Sequence, residues 1–190
     1  MALGRLPAEP LEALIQRHLT REEDAVTAAL IERFRPARVR GYLTKSELVA
    51  ACRWKSPRSI GHVMGNDPRK IRKATTAALA STSERARMEA LLVLQGVSVP
   101  SGSAILTMLD PERYGAIDIR AWQLLHRLKL VDGARSGTGL SAANWEAFLS
   151  AIRALAARLQ ATPREIERAL FYVHRDHQKG RLYQDPVNRR

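Results

Sequence analysis

Apolar residues recur along this chain at helical spacing, and almost nowhere in the alternation that a strand requires. Leu11, Leu14, Ile15 and Leu19 share one face of a first amphipathic segment over about 7–18. A second segment covers about 22–34 and is expected to stop near Pro36, which lacks the N–H that a helix interior uses. Thr44-Lys45-Ser46-Glu47 has the form of a capping box, in which hydroxyl and carboxylate each satisfy one unpaired amide, and it opens a third helix to about Trp54. Ser56-Pro57 and Asp67-Pro68 each place a capping residue before a proline at the first helical position, so short helices are predicted at 57–64 and 68–80. Ser81-Thr82-Ser83-Glu84 offers another capping box, before a helix that reaches Leu94. Beyond it come a turn at 95–100, a helix through Ala104, Ile105 and Leu106, a loop at 110–115, and a helix opening at Asp118. After a Gly-rich connection at 131–139, Trp145, Phe148, Leu149, Ile152, Leu155, Ala156 and Leu159 mark a long amphipathic helix. Thr162-Pro163-Arg164-Glu165 begins the last one, with Ile166, Ala169, Leu170 and Val173 on its apolar side. The pattern predicts an all-α protein, with a polar, basic and loosely held tail over 179–190.

Composition adds a partner class to this picture. The chain has 190 residues, long enough to bury a core, and its 31 Lys+Arg against 19 Asp+Glu leave a formal charge of +12. Neutralising phosphates releases counterions, so this excess suits a polyanion such as nucleic acid. The single cysteine, Cys52, excludes an intramolecular disulfide and cysteine-rich metal clusters, and its apolar helical surroundings put it in the core. No apolar stretch suggests a signal peptide or membrane span, so a cytoplasmic location is expected, nucleoid-associated in a bacterium.

The candidate chemistry lies in residues 91–128. The turn Gln95-Gly96-Val97-Ser98-Val99-Pro100 is short, contains a glycine and joins two helices, an arrangement that turns first-turn amides toward a phosphate oxygen. Farther on, one carboxylate, Asp118, stands between Ile117 and Ile119 at a helix start. Asp at such a place is a good cap in its own right, and the two roles are compatible.

The run LQGVSVPSGSAIL…YGAIDIRAW resembles the helix-hairpin-helix DNA glycosylase superfamily, HhH-GPD, which includes the endonuclease III-like and 8-oxoguanine enzymes. Leu94, Gly96 and Val97 match its phosphate-binding hairpin, and Ile117-Asp118-Ile119 matches its catalytic aspartate motif. The resemblance implies a two-lobed helical fold with the hairpin motif at about 84–110. A central lobe at about 44–130 would be completed by a second lobe from 1–43 and 131–178. It implies DNA contacts from Gly96, Val97, Ser98 and Gly102 at the hairpin. Trp54 and Lys55 would enter the duplex at a helix junction, with Arg58 and Arg120 on phosphates. Asp118 would stabilise the sugar cation that forms as a flipped base departs, or activate water. Two positions depart from the family pattern. Ser98 stands where a second glycine is usual, and Pro100 stands where bifunctional members carry a lysine, so the hairpin offers no amine for Schiff-base chemistry.

The expected protein is therefore a monofunctional DNA glycosylase, monomeric, needing no metal and no small-molecule cofactor. It acts on double-stranded DNA that contains a damaged or modified base. A non-catalytic hairpin module that binds DNA or senses lesions is the alternative, with an RNA-associated helical protein behind it. Several residues keep two readings at this level. Trp54 is a stacking contact or a core anchor, and Arg120 contacts phosphate or pairs with an acid. Lys55 is the amine to test should strand cleavage appear. Trp122 and His126 read as structural, while Tyr172, His174, Arg175 and His177 read as an exposed basic end.

Overall fold

The computed structural model describes residues 7–179, and within them the chain is helical with no β-strand. The helices are α1 (Leu11–Leu19), α2 (Ala25–Arg40), α3 (Lys45–Lys55), α4 (Ile60–Met64), α5 (Pro68–Ala80), α6 (Glu84–Leu92), α7 (Val99–Leu109), α8 (Ile119–Arg127), α9 (Ala142–Leu159) and α10 (Pro163–Asp176). A 3-10 turn, Pro57–Ser59, leads into α4. Of the tail expected to be loosely held, 180–190 lies outside the described residues.

The starts of the helices follow their capping chemistry. Thr44 and Glu47 form the predicted box, as do Thr162 and Glu165 at α10, and Asp67 accepts from the amides of Arg69 and Lys70. Three expectations fail. At α6 the cap is Ser83, which accepts from the Ala86 amide, and no box joins Ser81 to Glu84. The Ser56 side chain makes no cap; its carbonyl instead accepts from Ser59 and winds the chain into the 3-10 turn. Helix α2 does not stop at Pro36 but runs on to Arg40, where Gly41 closes it at φ 78°. Buried Phe34 and Ala37 flank the exposed proline, so tertiary packing holds the helix across the missing hydrogen bond.

Helix α7 is the hub of the hairpin region. Val99 and every residue from Ser101 to Leu109 are buried, because α2, α3, α6 and α9 all pack around it. An apolar helix with no polar face can be stable only in such a position. Helix α10 is a second hub, with α1, α8 and α9 on its apolar side. Cys52 is buried, and desolvation pushes its thiol up to about 12, so it is an inert core residue. No helix among the described residues is long and apolar enough to cross a membrane.

Candidate functional site

The hairpin between α6 and α7 is held from outside its own sequence. Asn66, which is buried, donates to the carbonyls of Val63 and Gln95 at 2.9 Å and accepts from the Gln95 amide at 2.9 Å. Gly96 then turns the chain at φ 75°, with His62 Cβ, the Ser59 carbonyl and Val63 Cγ2 each 2.9 Å from where a Cβ would stand. Ser98, where the resemblance would place a second glycine, sits at φ −103° and ψ 172°. That backbone is open to any residue, so the departure costs the turn nothing.

The hairpin residues divide into two sets. Ser98, Val99 and Ser101 occupy the helix-start positions whose amides have no intrahelical acceptor, and Ser98 is exposed. Val97 is buried, and its amide donates to the Leu94 carbonyl, so it shapes the turn. Gly102, expected among the phosphate donors, is a correction. Its amide donates to the Ser98 carbonyl at 2.7 Å, and a Cβ there would lie 2.6 Å from the Met88 sulfur. It is a packing glycine that lets α6 approach α7.

The same helix fixes Asp118. Ser103 Oγ, buried in α7, donates to the Pro100 carbonyl and accepts from the Ile117 amide at 3.0 Å. The aspartate follows at once as the N-cap of α8, its Oδ1 accepting from the Ala121 amide at 2.8 Å. A helix start stabilises negative charge there.

Asp118 faces a cavity of about 500 Å3, within the range of roughly 300–1,000 Å3 typical of small-ligand sites. Its walls include Ser98 and Pro100 from the hairpin, Trp54 and Lys55 from the end of α3, and Ile119 and Arg120 from α8. Five of the sequence-predicted residues, Asp118, Ser98, Trp54, Lys55 and Arg120, therefore meet in one place, although up to 66 positions apart in the chain. Lys55 Nζ lies 3.5 Å from the Ala116 carbonyl. Trp54 is a half-buried wall rather than a protruding wedge: its indole N–H donates to Thr27 Oγ1 at 2.9 Å and its ring carries Arg164 at 5.4 Å. Among the described residues Arg120 pairs with no acid, and it does not point freely outward. It lies over the Phe171 ring at 4.8 Å and donates to Gln178 at 3.2 Å. Arg58 is exposed on the 3-10 turn and does not line the cavity.

Further walls come from residues for which no site role was legible in the sequence, among them Glu22, Glu23, Arg164, Glu167, Phe171 and Tyr172. Arg164 is buried and donates to both Glu23 oxygens, at 2.7 and 2.9 Å, and also to Glu167. Glu167 is 4% exposed. His174 corrects the exposed basic end: it is buried, its Nε2 contacts Gln123 at 3.1 Å, and desolvation lowers its pKa to about 4. Trp122 is buried as expected, with its indole N–H on the Ala134 carbonyl. Among the described residues no cluster of three His, Cys, Asp or Glu is placed to hold a metal ion. The chain matches no protein-family model, no curated protein and no solved structure.

Proposed function

We propose that this protein is a DNA glycosylase of the helix-hairpin-helix type, which flips a damaged or modified base into the cavity and hydrolyses its bond to deoxyribose. The observation that carries this reading is the convergence of Asp118 and the hairpin residue Ser98 on a single base-sized, partly apolar cavity walled by Trp54. The first-turn amides of α7 would take a phosphate, with Lys55 and Arg120 adding positive charge. Trp54 and Phe171 are aromatic walls of the cavity that would receive the extruded base, whose removal from the stack costs a few kcal/mol. Asp118 stabilises the oxocarbenium ion, and water completes the reaction to leave an abasic site. The cavity favours catalysis over a plain binding module, in which Asp118 would need only to cap α8 and no pocket beside it.

The test is base release from duplexes carrying single modified bases, with alkali added afterwards to cut abasic sites, for wild type and Asp118→Asn. Asparagine caps a helix as well as aspartate, so the variant should unfold within about 0.5 kcal/mol of wild type. Base release should fall by at least about 10²-fold while duplex binding persists. Equal turnover in the two proteins would sink the assignment. Duplex binding by the wild type with no base release from any probe would make it a binding module.

A further inference from the structure

The glycosylase proposal uses one carboxylate, yet the cavity has a buried acid that it leaves idle. Glu167 sits in the middle of α10, 4% exposed, and lines the same cavity as Asp118. The loop leading to Asp118 is pressed onto it: a Cβ at Gly115 would lie 2.8 Å from Glu167 Cβ and 2.8 Å from the Pro163 carbonyl. Only a residue without a side chain permits that approach, so the chain brings the two acids to one cavity by construction. The guanidinium beside Glu167 is already engaged, because Arg164 gives two hydrogen bonds to Glu23 and shares only its remaining nitrogen with Glu167.

We propose that Glu167 is a second catalytic group of this site, the acid that protonates the departing base, and that the substrates are therefore bases that are electrically neutral in DNA. The proposal rests on the glycosylase reading above and adds a substrate class to it. Breaking the C1′–N bond sends its electron pair onto the base. A neutral base leaves readily when a proton reaches a ring nitrogen or carbonyl oxygen that takes up the electron pair, and here that proton comes from Glu167. Water then adds to C1′ and gives up a proton to Asp118, and solvent restores both carboxyl groups to their starting states. A base already cationic through alkylation needs no such proton.

The charged groups facing Glu167 are Arg164 on its own helix, Lys55 at the end of α3 and Asp118 at the start of α8. Burial raises the carboxyl above the usual range; Arg164 and Lys55 oppose this and Asp118 adds to it. A buried carboxyl held above the usual range is suited to the acid's role.

The experiment measures single-turnover base release against pH for wild type and Glu167→Gln. The probes are duplexes bearing one uracil, hypoxanthine, 8-oxoguanine or 7-methylguanine, the last being the cationic case. Wild type should release at least one neutral base, at a rate that declines as pH rises through the Glu167 titration. Glu167→Gln should slow that release by about 10²–10⁴-fold and flatten the decline. Wild-type rate and pH profile in the variant would overturn the assignment. Release confined to 7-methylguanine would overturn it and leave the glycosylase reading standing, whereas release from no probe would remove both. Should the variant not fold, the wild-type profile decides alone: a decline toward high pH supports the acid, and a flat profile overturns it.

Discussion

Glycine at position 96 answers to two constraints at once, and they separate it from its neighbour Ser98. Its φ of 75° is one that side chains with a Cβ adopt at a cost of about 1–2 kcal/mol, and three atoms at 2.9 Å leave no room for a methyl group. Gly96→Ala is expected to lose about 2–4 kcal/mol in urea unfolding, strain and overpacking combined. Ser98→Gly should not stabilise the protein, because Ser98 already sits in extended backbone. A gain of more than about 0.5 kcal/mol from Ser98→Gly would contradict that account of the hairpin. Asp118 was readable in the sequence because a cap between isoleucines before an amphipathic helix is a local signal. Glu167 was not. In Pro163-Arg164-Glu165-Ile166-Glu167 it reads as one more solvent-facing charge, and only the Gly115 loop, from outside that local pattern, makes it a buried acid.

Among the elements, α2 shows how packing outranks a local breaker. Proline within a helix forfeits one hydrogen bond and costs about 3 kcal/mol, which is why the sequence pointed to an end at Pro36. Phe34 and Ala37 are fully buried on either side, and their contacts carry the helix through to Gly41. Because Pro36 itself is exposed, Pro36→Ala should restore the missing donor without disturbing the core. A gain of about 1–2 kcal/mol in thermal unfolding is expected, the rest being offset by greater freedom of the unfolded chain. No gain would mean that α2 is already distorted to accommodate the ring. The capped helices α3, α5 and α10 required no such arbitration, since their start signals and apolar faces agree.

For the molecule as a whole, acid is the informative variable. The His174 imidazole titrates near 6.5 in the unfolded chain but only near about 4 in the fold, chiefly because it is buried, with the Arg120 charge adding and Asp118 opposing. Between those values the unfolded state binds more protons. The contribution of His174 is therefore complete above about pH 6.5 and lost as pH falls toward 4, by about 3 kcal/mol in all. Unfolding free energies of wild type and His174→Gln, compared from pH 7 to 4, should converge toward acid, with wild type falling faster. Parallel curves would show that His174 protonates freely in the folded protein.

What the sequence by itself determined is the helical class, most helix starts, the basic character and the hairpin–aspartate pair. Each of these is encoded within a few neighbouring residues, through 3.6-residue periodicity, caps and turn chemistry. The tertiary structure alone decided that α2 continues past Pro36, that Gly102 packs against Met88 with its amide spent on Ser98, and that Trp54 is a wall. It also decided that Glu23, Arg164 and Glu167 belong to the same cavity as Asp118. Those outcomes depend on which faces of α2, α3, α8 and α10 meet. Burial and charge pairing between residues more than a hundred positions apart, such as Glu23 and Arg164, have no local signature to read.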